Sequence, residues 1–271
     1  MAPNLPEVGY IVLEGVFTRE LCASWADRLN QVAARRAGSS ADIDIAGHRH
    51  ARINTDPANT SRIHKIQSVA LAEPDVLDFF RNDKIVTAAR RALVDGKAEI
   101  EALDVFGTKF FPMQPGGTSV SWHQDSYYFG SGGFEARCLS CAIYLEDTTR
   151  TNGCLRVVPG SHLPTWDSGA IERTKDGLLP HKAGEGRWAH GDWIQNVPED
   201  VAMDLKVPAG AVVLFDPRLV HAAHANESDT SRASLFGHLI LRSETFVYKK
   251  HSIDFTFGEY ADRHEIAGAL A

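Results

Sequence analysis

A mainly β protein with flanking α-helices, its strands forming a barrel or sandwich, is what the sequence predicts. Helical periodicity is confined to the chain before Gly96. From there to Tyr248 the texture changes to short apolar runs separated by Gly, Pro, Asn and Asp turns, the pattern of an all-β domain. The third observation is a pair of short His-containing runs, far apart in the chain, whose side chains make chemical sense only together. They need a fold that lays sequence-distant strands side by side, as a double-stranded β-helix does.

In chain order, residues 9–13 read as a short strand. A helix over 18–34 follows, with Leu21, Trp25, Leu29 and Val32 at helical spacing and Thr18 as N-cap. Residues 36–62 are polar and form a long, lid-like loop. Two more helices are predicted, over 68–81 on Val69, Leu71, Val76 and Phe79, and over 82–94 on Ile85, Val86, Ala89 and Leu93. Strands are then expected at 99–111, 119–123, 138–145, 155–158, 204–206, 211–215, 219–223 and 235–241. Residues 163–201 interrupt them as a second candidate lid, with Trp166, Trp188 and Trp193 scattered among Gly and charged residues. No flexible linker separates the halves and no repeat is visible. A single domain over 1–271 is expected, made of a helical part (1–95), a β core (96–248) and a polar tail (249–271) with no assigned chemistry.

A chain of 271 residues can bury roughly three-quarters of its unfolded surface and needs no disulfide staples. A net charge of -7 argues against a nucleic-acid partner. No apolar run approaches the ~20 residues of a membrane-spanning helix, so no membrane partner is expected. The N-terminus lacks the basic and apolar regions of a secretory signal, which makes the cytoplasm the default compartment. The spacing assigns no oligomeric state. Cys138 and Cys141 match a C-x-x-C pattern but lie on a predicted strand, where residues three apart face opposite ways. They read as buried packing thiols.

The chemistry lies in Trp122-His123-Gln124-Asp125 and Val220-His221-Ala222. On an extended strand His123 and Asp125 project to the same side and can chelate one ion. With His221 they have the residue types of a 2-His-1-carboxylate triad, which holds ferrous iron on one face and leaves positions open for a cosubstrate and O2. Arg232 follows eleven residues after His221, and its guanidinium suits bidentate recognition of a carboxylate. Ser234 shares the strand face of Arg232 and can donate to the same group.

Three blocks, His123-Gln-Asp125-Ser-Tyr-Tyr-Phe129, Thr151-Asn-Gly-Cys-Leu-Arg-Val-Val-Pro-Gly-Ser-His162 and His221-(x)4-Asn226-x-Ser228-(x)3-Arg232, resemble those of the phytanoyl-CoA dioxygenase family of Fe(II)/2-oxoglutarate-dependent oxygenases. The resemblance is strong over residues 96–245 and loose in the N-terminal helices. It implies a double-stranded β-helix core of the jelly-roll, cupin-like kind, with His123, Asp125 and His221 on iron and Arg232 on the C5 carboxylate of 2-oxoglutarate. It also implies oxidative decarboxylation of that cosubstrate to succinate and CO2, with O2 as second cosubstrate, coupled to hydrogen abstraction from a small-molecule substrate. Gln124 and Lys109 are further candidates around the cosubstrate. Related halogenases have a small residue in place of the carboxylate, so Asp125 speaks for oxygenation. Many relatives carry a hydroxylated residue two positions after the distal His, where this chain has Ala223.

Tyr127 and Tyr128 are candidates for the pocket wall on the strand parity set by His123, and Trp188 and Trp193 on the second insertion. Members of the family act on acyl thioesters, amino acids and secondary metabolites. The absence of a basic cluster suited to CoA leans the reading toward a secondary metabolite. Two other readings stay open on the residues alone: a cupin-like metal enzyme that uses no 2-oxo acid, and a non-catalytic jelly-roll binding module.

Overall fold

Alternation along the central strands divides the interior into two layers. The computed structural model describes residues 5–36, 43–45, 48–56, 59, 62–94, 101–129, 136–166, 194–245, 247–248, 253–254 and 262–269. Its elements are α1 (Leu5–Val8), β1 (Tyr10–Leu13), α2 (Arg19–Arg36), β2 (Ile43–Ile45), β3 (His48–Thr55), β4 (Ile63–Gln67), α3 (Val69–Ala72), α4 (Leu77–Phe80) and α5 (Asp83–Leu93). They continue as β5 (Leu103–Phe111), β6 (Val120–His123), β7 (Cys138–Tyr144), β8 (Leu155–Val157), β9 (Met203–Leu205), β10 (Val212–Phe215), β11 (His221–Ala223) and β12 (Ser234–Leu241). Then come β13 (Val247–Tyr248), β14 (Ile253–Asp254) and β15 (Arg263–Ala267).

Nine strands form one sheet in the order β1-β10-β7-β12-β5-β4-β3-β2, with β15 also on β5, and four form a second in the order β6-β11-β8-β9. On the outer face of the large sheet, Leu139, Cys141 and Ile143 of β7 join Leu235, Leu239 and Leu241 of β12 against Leu29, Phe80, Ile85 and Ala89 of the helices. On the inner face, Ala142, Tyr144, Val213 and Phe215 meet Leu155, Val157 and Leu205 of the small sheet. Each such fully buried Leu or Phe contributes roughly 1.5–3 kcal/mol. Mainly β with flanking helices, as two facing jelly-roll sheets, is the predicted class. Cys138 and Cys141 do fall on opposite faces, and all four cysteines are free and buried.

Helix α5 follows its sequence signals closely. The Asn82 side chain accepts from the Lys84 N–H at 3.0 Å, and Ile85, Val86, Ala89 and Leu93 are buried. In α2 the buried stripe is Cys22, Ala26, Leu29 and Ala33, while Leu21, expected inside, is 43% exposed. The single helix expected over 68–81 is instead α3, a 3-10 turn at Pro74–Val76 and α4. Pro74 has no N–H to donate and disfavours helical geometry at Glu73, which sits at φ -136° and ψ 79°.

The stretch 36–62, expected as a loop, supplies β2 and β3, and β3 and β4 extend the large sheet beyond β5. Local polarity concealed these strands: β2 ends the sheet and β3 lies next to it, and both are joined to it by backbone pairing. The tail likewise contributes β15. Its Arg263 is buried and bonds Asp104 of β5 at 3.0 Å, a tertiary ion pair with no local sequence signature. Residues 167–193 of the second insertion, with Trp188 and Trp193, lie outside the described residues. Among the described residues, no helix is long and apolar enough to cross a membrane.

A bulge in β5 matters for the site. Phe236 and His238 of β12 pair with Lys109 and Phe106, so three steps on β5 answer two on β12. Gly107 takes φ +61° there, a conformation that favours glycine, and its neighbour Thr108 is tied to the buried Asp262 by N–H and hydroxyl bonds of 2.7 and 2.8 Å. The extra residue reverses parity, so Phe106 and Lys109 both turn inward while Val105 and Phe110 join the outer core.

Candidate active site and metal centre

His221 and His123 face each other in antiparallel register on β11 and β6, with ring centroids 4.1 Å apart. Gln124 is extended, at φ -120° and ψ 127°, and so returns Asp125 to the side of His123. One ligand atom each from His123, Asp125 and His221 lies within 4.8 Å of the others. The Nε2 atoms of His123 and His221 are each 3.6 Å from an Asp125 carboxylate oxygen, Oδ1 and Oδ2 respectively.

Hydrogen bonds assign the ring protons. His123 Nδ1 lies 2.8 Å from the Ser121 carbonyl, and His221 Nδ1 lies 2.9 Å from the Leu219 carbonyl. A carbonyl only accepts, so both protons sit on Nδ1 and both Nε2 lone pairs point at the centre, as a metal requires. Burial, with the facing His123, pushes the His221 imidazole down to about 4, which keeps that lone pair free at neutral pH. Burial opposes ionisation of Asp125, but the surrounding histidines outweigh it, and the carboxyl lies well below its ordinary range. Two imidazoles held through Nδ1 and one carboxylate, converging on one point, fit a divalent iron.

Behind this set runs a line of polar side chains that spacing did not single out. Ser140 of β7 bonds Asp125 Oδ2 at 2.6 Å, and His238 Nδ1 lies 3.2 Å from the Ser140 hydroxyl. Burial, together with the nearby Lys109 charge, pushes His238 down to about 3, so it is neutral. Lys109 lies 3.5 Å from His238 Nε2, with its ammonium 4.6 Å from the Phe236 ring centroid, and burial lowers its pKa. Ser161, in the Pro-Gly-Ser-His block, accepts from the buried Val220 N–H at 2.8 Å and so steadies the entry to His221. The signal for Ser161 was the motif itself; for Ser140 and His238 the sequence carried only buried polar residues on apolar strands.

Arg232 is 6% exposed, its Nη1 donates to Ser234 Oγ at 2.8 Å, and its Nε has no partner among the described residues. Among the described residues it forms no ion pair, and burial lowers its pKa. A buried cation without a counter-ion is costly unless a ligand supplies the anion. The Ser234 hydroxyl, which accepts from Arg232, keeps its own proton to donate to that same anion. Ser234 and His238 lie four apart on the regularly paired β12–β7 ladder and so share the inner face. The residues therefore fit a 2-oxo dicarboxylate as well as a metal.

The remaining expectations divide. The Gln124 amide is buried and donates to the Arg218 carbonyl in the turn before His221, on the side of the chain away from His123 and Asp125. Its geometry serves that turn, in contrast to the cosubstrate role expected for it. Tyr127 and Tyr128 are not on a strand, because the chain turns into a 3-10 helix at Asp125–Tyr128. The turn still brings Tyr128 to 6.2 Å from the His123 ring, with Tyr127 at 5.3 Å from Tyr128. His224, an alternative ligand by type, bonds Asp204 at 2.9 Å instead.

The family model for phytanoyl-CoA dioxygenase (PhyH) matches residues 5–234. Among curated proteins, the chain is 26% identical over 242 residues to an ectoine dioxygenase of Bordetella bronchiseptica, covering 84% of this chain and 70% of that one. Among solved structures, it resembles EctD from S. alaskensis with 2-oxoglutarate and 5-hydroxyectoine, at a TM-score of 0.65 and 20% identity over 89% of this chain and 75% of that one. It also resembles the non-heme alpha ketoglutarate dependent epimerase SnoN from nogalamycin biosynthesis, at a TM-score of 0.59 and 18% identity over 89% and 82% of the two chains. At those identities the structural matches speak for the shared fold. The chain belongs to the phytanoyl-CoA dioxygenase family and is an Fe(II)- and 2-oxoglutarate-dependent dioxygenase.

Proposed function

We propose that this dioxygenase hydroxylates a small organic molecule, or otherwise oxidises it by hydrogen abstraction, with His123, Asp125 and His221 as iron ligands. Arg232 and Ser234 take the C5 carboxylate of 2-oxoglutarate. The observation that carries the reading is the buried Arg232 guanidinium with no counter-ion among the described residues, on the sheet that also holds Asp125 in place through Ser140. A cupin-like enzyme without a 2-oxo acid leaves that cation unexplained. A non-catalytic module leaves the two Nε2 lone pairs and the carboxylate without a purpose.

Bound iron supplies the activation of O2, coupled to decarboxylation of 2-oxoglutarate to succinate and CO2. The chain's own residues prepare the space for it. The Ser121 and Leu219 carbonyls hold both imidazoles in the ligating tautomer. Phe215 packs at 4.8 Å against the His221 ring and at 6.2 Å against Phe236, which keeps water from that side. Tyr128, 6.2 Å from the His123 ring, is the aromatic wall on the side of that ligand, with Tyr127 behind it; Trp188 and Trp193 are proposed for the substrate side.

The substrate is proposed to be a small metabolite. The ectoine dioxygenase relative and the epimerase neighbour are named for small organic molecules, and no basic cluster suits a CoA group. The test is a metabolite screen for stimulated succinate formation by anaerobically iron-loaded protein, followed by mass spectrometry of the product. Gain of one oxygen atom supports hydroxylation, while loss of two hydrogens indicates desaturation or ring closure. No 2-oxoglutarate turnover with any substrate, and an unchanged 2-oxoglutarate affinity in Arg232→Leu, would overturn the reading.

A further inference from the structure

We propose that Ser140, held in turn by His238, is a positioning residue that fixes the plane of the Asp125 carboxylate at the metal centre. The proposal rests on the iron-site reading above. Four side chains, from β5, β7, β12 and the turn after β6, form one line. Its steps are Lys109 Nζ to His238 Nε2 at 3.5 Å, His238 Nδ1 to Ser140 Oγ at 3.2 Å, and Ser140 Oγ to Asp125 Oδ2 at 2.6 Å.

Donor logic orders the line. An ionised carboxylate only accepts, so the Ser140 hydroxyl proton points at Oδ2. The Ser140 oxygen is then an acceptor, which puts the single proton of neutral His238 on Nδ1. The lone pair left on Nε2 faces the Lys109 amino group, which is the donor of that pair. Every proton along the line therefore points toward Asp125, and bonds arranged in one sense polarise one another.

Packing makes the line rigid. Ser140 and His238 are direct register partners on the central strands β7 and β12, and they are 0% and 4% exposed. The His238 ring is enclosed by Phe106, Phe236 and Phe129 at centroid distances of 4.9, 5.0 and 5.1 Å. A Cβ at Gly107 would stand only 3.3 Å from His238 Cδ2, so the bulge that turns Lys109 inward also leaves the imidazole just enough room. Asp125, by contrast, opens a 3-10 turn and has no strand partner to set its carboxylate plane. The short bond from Ser140 anchors Oδ2, so that Oδ2 stands 3.6 Å from His221 Nε2 and Oδ1 3.6 Å from His123 Nε2. Without the hydroxyl, the carboxylate is free to rotate and offer either oxygen, or both.

The test titrates the purified, metal-free full chain with Co(II), read by the visible absorption of the bound ion, alongside thermal unfolding of the metal-free protein. Ser140→Ala is expected to weaken Co(II) binding roughly 10- to 100-fold, the usual loss when the outer partner of a ligand is removed. Folded Ser140→Thr, which keeps the hydroxyl, is expected to stay within about threefold of the parent. A Ser140→Ala affinity within about twofold of the parent overturns the proposal, as does a folded Ser140→Thr as weak as Ser140→Ala. If Ser140→Ala loses its cooperative transition, His238→Phe keeps the ring volume and removes the Nδ1 donor. Weaker Co(II) binding there supports the proposal and unchanged binding overturns it. Asp125→Ala separates the two layers of inference. If it binds Co(II) as the parent does, the iron-site reading fails; if it loses Co(II) while Ser140→Ala does not, only the positioning role fails.

Discussion

Two clusters among the described residues bring three potential metal-binding side chains within 4.8 Å: His123, Asp125 and His221, and Cys154, Asp204 and His224. Their donor types are similar, but their surroundings are opposite. In the first, both ring protons are spent on backbone carbonyls, and among the described residues no Arg or Lys forms an ion pair with Asp125. In the second, Asp204 accepts from His224 Nε2 at 2.9 Å, Arg156 Nε at 3.2 Å and Arg150 Nη1 at 3.3 Å. Burial, with Asp204 beside it, pushes the Cys154 thiol up to about 11, so it is not a thiolate at neutral pH. The second cluster is already saturated with cations and protons, whereas among the described residues no cation bonds the carboxylate of the first directly. Proximity of ligand types does not make a metal site; where the protons point and which charges stand nearby decide it.

The comparison can be broken most sharply at the ligands. Asp125→Ala or His221→Ala should abolish stoichiometric Co(II) or Fe(II) binding and lower substrate-dependent succinate formation by more than about a thousandfold. Metal retained at parental affinity in either variant would mean that the centre lies elsewhere. Next comes the cosubstrate cation. Arg232→Leu should raise the apparent KM for 2-oxoglutarate by an amount worth about 2–5 kcal/mol, the loss seen when one partner of a buried charge pair is truncated. An unchanged KM in a folded variant would remove Arg232 from that role.

Smaller effects probe the second cluster and the relay. Asp204→Asn should leave metal stoichiometry unchanged and lower stability by roughly 1–3 kcal/mol in urea unfolding, because it frees Arg156 and His224 of their shared acceptor. A fall in bound metal would erase the distinction between the clusters. Last is the pH dependence set by His238, whose folded pKa of about 3 lies below its ordinary value of 6.5 because it is buried. The unfolded state binds the proton more readily, so this contribution is complete above about pH 6.5 and lost as pH falls toward 3. From pH 6.5 to 5 the metal-free protein should lose about 2 kcal/mol through this group. His238→Gln should flatten that slope; an equal slope in the variant would assign it to other groups.

How much of this was legible in the sequence depended on whether the signal was local. Helix α5 and strands β7, β10 and β12 announce themselves because burial on a regular lattice imposes periodicity. His123, Asp125, His221 and Arg232 were legible because ligand chemistry constrains residue type and spacing. Strands β2, β3 and β15 were not, since strand pairing is backbone chemistry and the Asp104–Arg263 ion pair links residues 159 apart. The Tyr127 parity argument failed because the chain leaves extended geometry at Asp125. Gln124 was read as facing the cosubstrate, yet the same alternation that unites His123 and Asp125 turns it away.

The sequence by itself therefore determined the fold class and the family and singled out the candidate ligands, because side-chain alternation and metal chemistry are written in short-range patterns. Only the tertiary structure decided which nitrogen of each histidine is free, which of two similar clusters is open to a metal, and that Ser140 and His238 stand behind Asp125. Those are matters of which strands become neighbours, and a hydrogen bond between residues 98 apart leaves no trace in the spacing of either.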